Sequence, residues 1–117
     1  MTRTPRALSP HALAALDHLG ALSADLGEVE EAVSYGNPAL KTKGRPFAVL
    51  DCYKGVDCLW LRVAPDAREA LLTRPGWFAS PYDPLRKALC VDLRMIDWGS
   101  VKPLLDESWS LSRGADV

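Results

Sequence analysis

The sequence predicts a single α+β domain in which three helices pack on one face of an antiparallel, five-stranded sheet. Helix signals near both ends of the chain flank a middle region of short apolar runs that alternate with polar residues. Gly, Pro and Asp separate those runs, as is typical of strands joined by turns. The length of 117 residues suits one hydrophobic core, so we expect one domain over residues 1–117.

The first helix is predicted over residues 9–26. Ser9 suits the N-cap because its hydroxyl can accept a backbone hydrogen bond, and Pro10 fits the first helical position. Gly27 is expected to supply the left-handed residue that ends the helix. The apolar stripe of this helix consists of four leucines, Leu16, Leu19, Leu22 and Leu26.

Three strands are predicted to follow as a meander. They cover residues 33–41, 46–52 and 58–63, with turns at Lys43-Gly44 and at residues 54–57. Asn37-Pro38 interrupts the first strand. Because Pro cannot donate to a strand ladder, we expect this strand at a sheet edge.

A short helix over 65–72, two strands over 77–80 and 89–94, and a last helix complete the prediction. Pro103 determines where the last helix should start, because Pro inside a running helix clashes with the preceding turn. With Ser100 as N-cap, Pro103 falls in the first turn, where no intrahelical donor is needed. The helix is therefore predicted over 101–112, with residues 97–99 forming either a separate turn or a kinked first turn.

The formal net charge of −1 conceals an uneven distribution. Residues 1–40 carry a net charge of −3, residues 41–94 carry +4, and residues 95–117 carry −2. The bases expected to contact phosphates are Lys41, Lys43, Arg45, Lys54, Arg86 and Lys87. Tyr82 or Trp60 is available to stack on an unpaired base. The alternative interpretation is that these lysines and arginines are solvated turn and edge residues that prevent sheet-to-sheet association.

Catalytic and membrane signals are missing from the sequence. It contains no GxSxG, Walker, GxGxxG or HExxH motif, and both histidines lie in the first predicted helix. We therefore predict that the protein is not an enzyme and needs no metal or cofactor.

No apolar run approaches the roughly 20 residues of a membrane helix. Three cysteines without a CxxC pair favour reduced thiols, so we expect a soluble, cytoplasmic protein.

Four segments follow one another in a distinctive order. They are Ser34-Tyr35-Gly36-Asn37-Pro38-Ala39-Leu40-Lys41, Arg45-Pro46-Phe47-Ala48, Pro81-Tyr82, and Asp97-Trp98 followed by Leu104-Leu105-Asp106-Glu107-Ser108-Trp109. Together they resemble the MmcQ/YjbR family over residues 8–112. The resemblance implies a compact α+β domain, related in shape to frataxin-like proteins and type III secretion chaperones, and it implies DNA binding. Lys87-Ala88 stands where the family usually has a Gly-Trp pair.

A protein partner is the second functional hypothesis. Four tryptophans are many for this length, and Trp is enriched at binding hot spots. If Trp60 lies beside Arg62 on the open face of the sheet, the domain would suit a protein-interaction or chaperone-like adaptor. A continuous basic surface would instead favour nucleic acid.

Overall fold

Three helices and one six-stranded antiparallel sheet make up the computed structural model, which describes residues 8–81, 83 and 85–114. In chain order the elements are α1 (Pro10–Leu22), β1 (Glu30–Ser34), β2 (Asn37–Thr42), β3 (Arg45–Tyr53), β4 (Val56–Arg62), α2 (Pro65–Leu72), β5 (Trp77–Ala79), β6 (Ala88–Asp92) and α3 (Trp98–Arg113). The strand order is β1-β2-β3-β4-β6-β5. The predicted α+β class is confirmed, with six strands instead of five.

The additional strand arises because the single strand predicted over 33–41 is a hairpin. Tyr35 and Gly36 both have positive φ, of 51° and 83°, and form a two-residue turn between β1 and β2. Such turns follow the twist of the flanking strands and are usually made by Asn-Gly or Asp-Gly. A Tyr in the first position hides this signal in the sequence.

Pro38 does not lie on an edge strand, so that prediction was wrong. β1 covers β2 on one side and β3 covers it on the other. Ser34 and Asn37 flank the two-residue turn and form the hydrogen-bonded pair, so the next pair, Val33 and Pro38, is of the non-hydrogen-bonded kind. The β2–β3 register starts one residue later, at Ala39. The missing N–H therefore falls where neither ladder requires it.

Helices α1 and α3 cover one face of the sheet and enclose the main core. Its largest fully buried side chains come from all the layers, and include Leu19, Phe47, Leu50, Leu59, Leu61, Val91, Val101 and Leu105. α1 starts as predicted, because Ser9 Oγ accepts a hydrogen bond from Ala12 N at 3.2 Å. It ends at Leu22, earlier than expected, and its C-cap residue Ser23 has a right-handed conformation (φ −92°), so Gly27 does not end the helix.

α3 begins three residues before its predicted start. Asp97 is the N-cap, and its carboxylate accepts a hydrogen bond from Gly99 N at 3.0 Å. Pro103 consequently lies inside the helix. Pro103 and Gly99 are both exposed, so water can reach the Gly99 carbonyl that lacks its usual helical donor. The solvent-facing position explains why the helix tolerates this proline.

A β-bulge at Phe47 controls how α3 meets the sheet. Leu40 pairs with Ala48, but Lys41 pairs with Pro46, so Phe47 is an extra residue on β3. The bulge turns both Phe47 and Ala48 into the core. Ser108 of α3 is fully buried at this point. Its hydroxyl donates to the Phe47 carbonyl at 2.6 Å and accepts from Arg62 N at 2.9 Å, so it joins β3, β4 and α3.

We expect Ser108→Ala to lower the free energy of unfolding by about 1–3 kcal/mol, because it leaves two buried backbone groups without a partner. Ser110→Ala is the matched control, since Ser110 is exposed on the same helix. Urea unfolding of both variants and the wild type measures the difference. Equal stability of the two variants would contradict the structural role given to Ser108.

Candidate functional site

Most of the predicted phosphate-binding residues lie at one end of the sheet. The β2–β3 turn closes at the Thr42–Arg45 pair, and β6 starts at Ala88, opposite the last residue of β4, Arg62. Because β3 and β4 are antiparallel neighbours, the end of β4 lies beside the start of β3. This end of the sheet, here called the basic end, carries Lys41, Lys43, Arg45, Arg86 and Lys87.

Lys54 lies at the opposite end of the sheet. It follows β3, whose nine residues span about 30 Å. Its ammonium group lies 5.5 Å from the centre of the Tyr53 ring. Lys54 therefore does not join the other predicted bases, and Tyr82 lies outside the described residues.

The side chains of the basic end are largely open to solvent. Lys43, Arg45, Arg86 and Lys87 are exposed, and Lys41 is half-buried. The ion pairs found among the described residues do not use the three lysines or Arg86. Arg45 donates to the Ser112 carbonyl at 3.3 Å, which ties this side chain to the end of α3.

Two further arginines, which no sequence pattern marks, organise the basic end. Arg68 donates to the carbonyls of Arg86 and Ala88, at 3.1 and 3.0 Å, and so holds the backbone that presents Arg86 and Lys87. Arg113 pairs with Glu28 at 2.7 Å. The Arg113 guanidinium and, to a lesser extent, Lys43 hold the pKa of Glu28 below its usual value.

The face of the sheet away from α1 and α3 carries a groove of about 550 Å³. Its lining includes Tyr35, Asn37, Pro46, Val49, Asp51 and Trp60. The Arg62 guanidinium lies 5.6 Å from the centre of the Trp60 ring, and its Nε donates to the Pro46 carbonyl at 3.2 Å. Trp60 and Arg62 are therefore adjacent on this face, as the adaptor hypothesis requires.

The environment of Arg62 disfavours the charged form of its guanidinium. Burial lowers the pKa of the guanidinium, the nearby charge of Arg45 lowers it further, and Asp83 partly opposes this.

Trp60 is half-buried, like Trp77, Trp98 and Trp109. The last three pack on the helix side, where Trp98 stacks on His18 and Trp109 donates to the Gly27 carbonyl. Trp60 is thus the tryptophan that a ligand in the groove would contact.

Two of the three cysteines are shielded from reaction. Cys58 and Cys90 are buried on neighbouring strands, and the hydrogen bond between their side chains, together with burial, raises the pKa of Cys58 far above its usual value. Cys52 is exposed beside the groove. Within residues 8–81, 83 and 85–114, no group of three or more metal-ligating side chains comes together.

The opposite end of the sheet carries carboxylates. Asp57 accepts a hydrogen bond from the hydroxyl of Ser9, which ties the start of α1 to the β4 strand. Asp92 pairs with Arg94 at 2.7 Å. The hydrogen bonds from Arg94 hold the pKa of Asp92 below its usual value, although burial partly opposes them. This end of the sheet, which also carries Lys54, therefore presents charges of both signs.

Thiol accessibility tests the placement of the cysteines. A thiol reacts as the thiolate, which burial and a raised pKa suppress. We expect one fast-reacting thiol in the native protein, Cys52, and all three only in denaturant. Ellman's reagent measures both values, and Cys52→Ser should abolish the fast phase. A fast phase that persists in Cys52→Ser would contradict the burial of Cys58 and Cys90.

Stability at low pH tests the Asp92–Arg94 pair. The folded-state pKa of Asp92 is lower than the unfolded value, so its stabilisation is present above about pH 4 and is lost as the pH falls through the folded-state pKa. We expect Asp92→Asn to be less stable than the wild type at about pH 6 and the gap to narrow towards about pH 3. Urea unfolding measures the gap, and Asp17→Asn on α1 is an exposed control. A gap that stays constant with pH would contradict this role.

Comparisons with known proteins agree with the fold. A model of the YjbR family matches residues 24–111. A crystal structure of a Pseudomonas syringae protein is similar to this chain with a TM-score of 0.69 and 14% identity, covering 83% of this chain and 97% of that one. A Deinococcus radiodurans protein with a DUF419 domain has a TM-score of 0.73 and 19% identity, covering 87% and 80%. No curated protein matches the chain. Across the described residues, every helix falls short of the length and apolarity that a membrane crossing requires.

Proposed function

The chain belongs to the YjbR family, and from that premise we propose that it binds nucleic acid weakly through the basic end of its sheet. The observation that supports this most directly is the strand topology. It brings five of the six predicted phosphate-contacting bases to the basic end, although they come from two distant parts of the sequence. The sixth, Lys54, lies outside this surface.

The charge distribution determines how such binding would occur. With a net charge of −1 and acidic flanking segments, the protein would repel a polyanion from most directions. The basic end is the region through which a phosphate backbone can approach. If about four of its side chains contact phosphates, the logarithm of the affinity falls against the logarithm of salt with a slope of about −3.6 for duplex DNA. So few phosphate contacts would give modest affinity, and phosphate contacts carry little sequence preference.

A pair of turn variants tests the proposal. Lys43 and Lys54 both occupy the first position of a Lys-Gly hairpin turn and both have a φ of 51°. Glu at either position makes the same charge change in the same backbone conformation, but at opposite ends of the sheet. We expect Lys43→Glu to weaken binding of a fluorescent duplex at low salt by roughly fivefold or more, and Lys54→Glu to change it little. Fluorescence anisotropy measures both affinities.

Two results would count against the proposal. One is a wild-type protein that shows no binding at low salt. The other is an equal loss of affinity in Lys43→Glu and Lys54→Glu, because binding would then depend on overall charge and not on the basic end. A salt titration of the wild type provides a second measurement, since the slope should shrink in Lys43→Glu.

The adaptor function remains the second candidate, and the adjacency of Trp60 and Arg62 on the uncovered face favours it. Nuclease treatment separates the two: a partner that stays bound after nuclease and is lost with Trp60→Ala supports the adaptor. We propose a binding role without catalysis for either function. The free thiols support a reducing, cytoplasmic location.

A further inference from the structure

We propose that the groove on the uncovered face holds one unstacked nucleobase, so that the protein prefers single-stranded to duplex nucleic acid. This inference rests on the proposed function and adds a second contact to it. The basic end would bind the phosphate backbone, and the groove would bind a base only when that base is unpaired. Bases in a duplex are stacked and cannot enter such a groove.

The shape of the groove suits a flat ring. Val49 and Trp60 are cross-strand partners and form an apolar floor. Tyr35 and Pro46 lie at its rim. A floor containing an aromatic ring, with a second aromatic side chain at the edge, is the arrangement on which proteins stack single-stranded bases.

Tyr35 itself is the most telling feature. It is 93% exposed, so little in the described structure packs against it. It also has a positive φ of 51°, which bulky residues rarely adopt. In the free protein, the exposed ring contributes no packing that would offset the strain of this turn. Closing over a base in the groove would bury the ring and give it a stacking partner.

A positive and a negative side chain lie towards opposite ends of the groove, and this favours one orientation of a bound nucleotide. Arg62 contacts Trp60 and Pro46 on the side of the basic end. Asp51, which faces Cys58 across the ladder, lies towards the other end, roughly 13 Å along the strands from Arg62. The base would then point towards Asp51, and the phosphate would point towards Arg62 and the basic end.

Asp51 has an oxygen available for a base. Its Oδ1 accepts hydrogen bonds from Asn37 Nδ2 at 3.3 Å and from Cys52 N at 2.7 Å. Its Oδ2 takes no hydrogen bond from the residues that the structure describes. A carboxylate oxygen accepts from the N–H groups on the edges of bases. Asp51 is the charged residue in the groove lining, so an acidic peptide lying in the groove would be repelled there, which favours a nucleobase over an acidic peptide.

The test removes the Tyr35 ring without threatening the fold. Tyr35→Asn places the residue that two-residue turns prefer in front of Gly36, so the hairpin should be kept or strengthened. We expect roughly tenfold weaker binding of a mixed-sequence single strand and unchanged binding of the duplex made from it, because one base–aromatic stack is lost. Fluorescence anisotropy with both probes measures this. Leu13→Gln on α1, which also removes an exposed apolar side chain, is the control for which neither affinity should change.

Tryptophan emission supplies a second readout. A base stacked in the groove should quench Trp60, while the other three tryptophans lie on the helix side. We expect the single strand to quench the wild-type emission, and Trp60→Phe to lose most of that response even if it still binds.

The outcomes separate this inference from the proposed function. Selective loss of single-strand affinity in Tyr35→Asn supports the nucleobase groove. If Tyr35→Asn leaves both affinities unchanged while Lys43→Glu weakens both, the groove inference is overturned and the basic end stands. If the single strand leaves the Trp60 emission unchanged but an extended peptide alters it, the groove holds a peptide and the inference is also overturned. No binding of either probe by the wild type overturns both proposals.

Discussion

A single buried hydroxyl holds the sheet and its covering helix together where the β-ladder is broken. The bulge at Phe47 leaves the Phe47 carbonyl and the Arg62 amide without strand partners, and Ser108 satisfies both. Buried backbone groups without partners are costly, so α3 cannot move from this point without exposing them. The position of α3, and with it the core on that face, depends on this contact.

The same contact also shapes the functional surface. The Pro46 carbonyl, next to the bulge, accepts hydrogen bonds from Arg62 Nε and Ser112 Oγ. Arg62 is thereby placed between the groove and the basic end, and α3 reaches the β2–β3 turn, where Arg45 contacts its last turn. One local irregularity in β3 thus determines where two positive side chains lie relative to the aromatic floor of the groove.

Local signals predicted much of the fold, and the failures have physical causes. The N-cap at Ser9 and the second helix over 65–72 depend on neighbouring residues alone, and the structure has both. The Tyr35-Gly36 turn was missed because its first residue is not one that such turns prefer. The start of α3 was missed because solvent access to the Gly99 carbonyl, a tertiary property, makes Pro103 acceptable inside the helix.

In the candidate site too, local residue identities could be predicted from the sequence, whereas their arrangement in space could not. Sequence identifies the bases, but the strand order decides which of them act together: Lys54 and Lys43 look equivalent in the sequence and lie at opposite ends of β3. Trp60 and Arg62 were candidates from the sequence, but the groove itself could not be predicted, because Tyr35, Asp51 and Trp60 meet only through the register of three strands. The Tyr35-Gly36 and Lys-Gly turns share the same left-handed first position. A solvated lysine can occupy the left-handed position without losing any packing, whereas a tyrosine there forgoes the burial that its ring would have elsewhere. The turn would form at least as well with Asn, so the aromatic ring is best explained by what it can contact across the groove.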